Sequence, residues 1–166
     1  MKYRTGFLIF LAAFFLQPFL QNLIPVLGGN INLLLCVTVV FTFLYDDNLC
    51  GIFFGFIFGL FYDLVYGMYA GPGVFALMVT GIAVLILREF TNIENFFNAL
   101  AAMLLSTWLY ASVYWGIYTV LGSPYSYVYA MKSLPLPLLF NSLAAMALYF
   151  VLIKKVIKHR RDRYFR

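Results

Sequence analysis

The chain has 166 residues, of which 64% are hydrophobic and 10% charged, with a mean hydropathy of +0.93 and a net charge of +5. Water-soluble domains carry about 25% charged residues and about half apolar ones, so this composition excludes a soluble domain and makes lipid the main solvent. Six spans of about 20 residues would use roughly 120 residues, leaving no room for an extramembrane domain.

Met1–Gly6 is followed by the apolar run Phe7–Leu16 and then by Gln17-Pro18-Phe19-Leu20-Gln21. No small-x-small cleavage site is present, so the start reads as an uncleaved first span over about 6–27 rather than a signal peptide. Gln17 and Gln21 stand at i, i+4 beside Pro18 and before Pro25. One face of that helix is therefore polar just where proline removes a backbone bond, and the amides can re-satisfy freed carbonyls or bond another helix.

Turn signals at Gly28-Gly29-Asn30 and Asp46-Asp47-Asn48 bound a second span over 31–45, and Gly71-Pro72-Gly73 separates a third over 49–66 from a fourth over 74–87. The second and fourth are short for a hydrocarbon core of about 30 Å and should extend into their flanks or sit in a thinned bilayer. Asp46 and Asp47 suit N-capping of the third helix.

The third span carries a ladder at every fourth position: Gly51, Gly55, Gly59, Asp63, Gly67 and Gly71. Glycine at i, i+4 strips bulk from one helix stripe and lets another helix approach closely, the mode of association that works in lipid. A four-residue step advances the stripe by about 40°, so Gly55, Gly59 and Asp63 share one broad face. Two readings stand: packing within the bundle and packing between subunits of a homo-oligomer. Asp63 lies near the end of its helix, where it can reach interfacial water, cap the loop that follows, or bond polar groups of neighbouring helices. A relay would need more intramembrane ionisable groups than this one.

A fifth span is expected over 96–121 after the Arg88–Asn95 break, and Tyr125, Tyr127 and Tyr129 in the next loop read as an interfacial belt. The last span, 134–153, opens on Leu134-Pro135-Leu136-Pro137, where proline is cheap, and Asn141 one turn later should bond a neighbouring helix. Beyond it Lys154, Lys155, Lys158, Arg160 and Arg161 head a basic tail that reads first as a stop-transfer anchor and can also be drawn to anionic lipid or dock a cytoplasmic partner. The tail is short and tied to the membrane, so it makes no case for nucleic acid. With six crossings, ten of the eleven Lys and Arg residues fall on the side of the two termini and only Lys132 falls opposite, which makes both ends cytoplasmic.

No catalytic, metal or cofactor set is expected. Cys36 and Cys50 read as free packing thiols, His159 is the sole histidine, and Ser106, Ser112 and Ser142 have no histidine at their depth. Gly71-Pro72-Gly73 lacks the lysine or threonine of a phosphate loop. The fold expected is an all-α integral membrane protein, a compact bundle of six transmembrane helices in one domain.

Across nearly its whole length the chain resembles the rod-shape-determining MreD family of bacterial cell-wall elongation. The residues carrying the resemblance are Gln17, the Gly28-Gly29 turn leading into Asn32-Leu33-Leu34-Leu35, the block Gly51-x3-Gly55-Phe56-x2-Gly59-Leu60-x2-Asp63-Leu64-x2-Gly67 with Gly71, and Leu134-Pro135 with Leu139-Phe140-Asn141. Where the family often has Pro-Asp before the leucine run, this chain has Ile31-Asn32. The resemblance implies a non-enzymatic inner-membrane scaffold that binds an MreC-like single-span protein and acts beside MreB filaments, RodA and the elongation transpeptidase. The groove expected for that partner is the ladder around Gly55–Asp63 or the first helix, with Asp63 orienting the bundle or hydrogen-bonding the partner. The competing class is the small-molecule-binding subunit of energy-coupling-factor vitamin transporters, similar in size and helix number and a candidate to share the fold. The chain's short loops, poor in hydrogen-bonding side chains, argue against it.

Overall fold

A computed structural model describes residues 3–23, 31–45 and 48–164. Seven helices lie in that part of the chain: α1 (Tyr3–Leu23), α2 (Leu33–Leu44), α3 (Asn48–Tyr66), α4 (Pro72–Glu89), α5 (Phe96–Val120), α6 (Tyr127–Lys132) and α7 (Pro135–Tyr164). By length and composition four stretches can cross a membrane, Leu49–Tyr66, Pro72–Glu89, Phe96–Val120 and Pro135–Lys154. Arg4–Leu20 and Leu33–Leu44 are apolar but shorter.

The short α2 is the centre of the molecule. Every residue from Leu34 to Leu44 is buried, and α1, α3, α4, α5 and α7 all pack on it. A helix that is apolar all round belongs in an interior. It begins sharply because the Asn32 side chain accepts a hydrogen bond from the Leu35 amide at 3.0 Å, satisfying one free donor of the first turn. The expected extension of this helix into its flanks does not occur: residues 31 and 32 are not helical and Tyr45 is the C-cap. A helix enclosed by protein need not match the thickness of a bilayer.

Among the described residues the neighbours around α2 run α1, α3, α4, α5, α7, each packed on the next except that α1 and α7 make no substantial contact with each other. Phe10, fully buried, locks α1 in place, with ring centroids 5.6 Å from Phe41 of α2 and 5.7 and 5.9 Å from Phe54 and Phe58 of α3. The fourth helix is longer than its apolar run suggests, because Pro72 serves as its first residue and the helix continues through Arg88 and Glu89. The loop expected over 122–133 contains α6, started by Ser126, whose hydroxyl accepts from the Tyr129 amide at 3.3 Å. The basic tail continues α7 as helix to Tyr164.

The helices alternate in direction, which gives the bundle two ends. One gathers the end of α1, the start of α2, the Asp63 turn and the start of α7. At the other, Arg88 Nη1 donates to the Tyr45 carbonyl and the Tyr149 hydroxyl donates to the Ile93 carbonyl at 3.0 Å.

Candidate functional site

The glycine ladder is filled from within the chain. At Gly55 an added Cβ would lie 2.7 Å from Thr38 Oγ1, and at Gly51 it would lie 2.5 Å from Thr42 Oγ1 and 2.9 Å from the Thr42 amide nitrogen. Thr38 pairs with Gly55 and Thr42 with Gly51, the register of two antiparallel helices in backbone contact. Neither threonine hydroxyl has a hydrogen-bond partner. Both lie where the glycines' missing Cβ atoms would be.

One step further along, the stripe has turned. A Cβ at Gly59 would meet Leu77 Cδ1 at 2.8 Å and Val74 at 3.6 Å, both on α4. This is the drift of a four-residue repeat on a 3.6-residue helix, about 40° per step. The stripe faces α2 at Gly51 and Gly55, and α4 at Gly59 and Asp63.

Asp63 completes the turn as a cap supplied by a different helix. It is buried, and its Oδ2 accepts from the Val74 amide at 3.0 Å and the Gly71 amide at 3.1 Å. Val74 is the third residue of α4, whose amide an N-cap side chain ordinarily satisfies. The N-cap here is Gly71, with φ 125° and no side chain to offer, and Pro72 has no amide at all. The carboxylate also sits at the positive end of the α4 dipole. Gly73 leaves room for it, since a Cβ there would lie 2.3 Å from Asp63 Oδ1. Gly67 closes α3, its amide donating to the Asp63 carbonyl at 2.9 Å.

A second polar cluster clamps the start of α2. Buried Gln17 donates through Nε2 to the Ile31 carbonyl at 2.7 Å and accepts through Oε1 from the Leu33 amide at 2.6 Å. Buried Asn141 of α7 accepts the Asn32 amide on Oδ1 at 2.7 Å, and its carbonyl accepts from the Cys36 thiol at 3.5 Å. Three successive residues where α2 begins, Ile31, Asn32 and Leu33, are thus held from both sides by amide side chains. Such groups would be costly to leave unpaired in an apolar medium.

Asp63, Gly59 and Gly55 therefore form one line along α3, while Gln17 and Asn141 meet at α2. The side chains of Gln21, Lys155, Lys158, Arg160 and Arg161 lie outside the described residues, as do Asp46 and Asp47. Lys154 is exposed. Three contributors escaped the sequence reading: Asn32 as the α2 cap, Gly73 as the space beside Asp63, and Thr38 with Thr42 opposite the glycines. Each had a signal: an asparagine ahead of an apolar run, a glycine after proline at a helix start, and threonines at the same four-residue spacing as the ladder.

Among the described residues no three of His, Cys, Asp or Glu come together. The arrangement offers held backbone segments and helix–helix packing. A comparison with protein-family models matches residues 2–158 to the family described as rod shape-determining protein MreD. No curated protein and no solved structure matches, so the likeness in fold to vitamin-transporter subunits gains no support.

Proposed function

Because the chain belongs to the MreD family, a family of rod-shape-determining membrane proteins, we propose that it is a non-enzymatic inner-membrane scaffold. It crosses the membrane six times, α1 to α5 and α7 serving as the crossings, with both termini in the cytoplasm. There it holds the single transmembrane helix of an MreC-like protein within the elongation machinery. The positive-inside distribution of basic residues supports the orientation.

The observation that carries the reading is the seam between α1 and α7, which no contact among the described residues closes. Every other neighbouring pair around α2 is packed, whereas α1 rests on α2 and α3 and leaves Phe15, Leu16 and Phe19 exposed. The glycine stripe, occupied by Thr38, Thr42 and Leu77, has no space for a further helix. A single-span partner would complete the ring.

Depletion should turn a rod-shaped bacterium round, and rods that keep their shape would defeat the reading. A photo-crosslinker placed at Leu16 or Phe19 should capture the MreC-like protein, whereas one at Ile82 or Ile86 on α4 should not. Capture only from α4 would move the partner to another face.

A further inference from the structure

At the Arg88 end of the bundle, α1 and α3 part to leave a groove of about 420 Å³ lined by Arg4, Phe7, Leu8 and Phe54. Phe54 is its buried floor, and Phe7 and Leu8 are exposed walls. The Phe7 ring lies 5.5 Å from that of Phe58, which continues the aromatic floor beneath it. Gly6 deepens the junction, since a Cβ there would already press on Phe54 at 3.3 Å.

Three walls are apolar and the fourth is a cation. Arg4 is exposed and has neither an ion pair nor a hydrogen bond among the described residues. Guanidinium presents a planar fork that matches a phosphate in two places, and its long stem lies readily along apolar surface. The groove runs over little more than one turn of α1, from Arg4 to Leu8. That length suits a hydrocarbon chain better than a second helix, which needs a continuous stripe of contacts over several turns.

We propose that this groove binds one anionic phospholipid, its acyl chain against Phe7, Leu8 and Phe54 and its phosphate on the Arg4 guanidinium. The site lies at the start of α1 where it meets α3, about two turns before Phe15. It would give the bundle a lipid fixed at the level of the first helix, in the leaflet on the side of Arg88.

The test is native mass spectrometry of the full chain in detergent, titrated with dioleoyl phosphatidylglycerol or with dioleoyl phosphatidylcholine. The wild-type protein should retain phosphatidylglycerol preferentially. Arg4→Gln should cut that preference by about fivefold, the size of one cation–anion contact at a membrane surface. Lys132→Gln, which removes an exposed cation at the other end of the bundle, should leave it unchanged. Leu8→Trp, which fills the groove, should lower retention of either lipid. Equal loss in the Arg4 and Lys132 variants would mean diffuse charge and overturn the site, as would a preference that survives Arg4→Gln or retention indifferent to Leu8→Trp.

Discussion

The carboxylate of Asp63 and the amide of Val74 are 3.0 Å apart, joining the last turn of α3 to the first turn of α4. The acid performs for α4 what the chain's own N-cap, Gly71, cannot. That relationship explains why a carboxylate sits in a glycine stripe and why the stripe's path ends there.

Removing the carboxylate should expose its cost. Asp63→Ala leaves the Val74 and Gly71 amides without acceptors and should destabilise the detergent-solubilised protein by about 1–3 kcal/mol. Gly73→Ala should be destabilising by a similar amount, because its Cβ would fall 2.3 Å from Asp63 Oδ1. In the Asp63→Ala background the same Gly73→Ala change should be neutral or stabilising, since the obstacle is gone and alanine favours helix. Thermal unfolding of the four proteins of this cycle measures the coupling, and additive effects would refute the contact.

The ladder makes a sharper pair of forecasts. Gly55→Ala should destabilise by about 1–3 kcal/mol, and Thr38→Ala should recover part of the loss. It removes Oγ1 at 2.7 Å and Cγ2 at 3.0 Å and leaves only Cβ, at 3.5 Å, an ordinary contact. Gly51→Ala should resist the equivalent rescue by Thr42→Ala, because the Thr42 backbone nitrogen stands at 2.9 Å and cannot be removed. Thermal stability of the two double variants decides it, and equal rescue would show that the helices separate freely.

At the start of α2, Gln17→Leu and Asn141→Leu should each lower stability by about 1–3 kcal/mol by stranding backbone groups of residues 31–33. The double variant should lose less than the sum, because once one clamp is gone the segment is already free to move. A cycle of thermal unfolding measurements, with membrane insertion checked in parallel, reads this directly. Strict additivity would mean that the two clamps act on independent structures.

Much of the bundle was legible in the sequence because apolar runs and glycine–proline breaks are strong signals on their own. The ladder's drift was readable from the mismatch of four and 3.6 residues, and the capping of the following loop was among the readings open for Asp63. What could not be read was the identity of each partner. That Thr38 faces Gly55, or that Gln17 reaches Ile31 and Leu33, depends on how helices distant in sequence come together. The α6 turn was hidden by its length, six residues with no apolar period of its own. The shortness of α2 was visible, but its cause was not, because burial on all sides is a property of the neighbours.

With twelve residues, α2 rises about 18 Å, well short of the roughly 30 Å that acyl chains occupy. Its two ends stop short of those of the longer helices around it, and Gln17, Asn141 and Arg88 are the side chains that hold its backbone there. Such a segment offers the insertion machinery too little grease to settle alone, so its arrival has to follow that of the helices forming its berth. A lesion in a clamp should therefore be felt during biogenesis, as chains degraded before completion, sooner than in the finished protein.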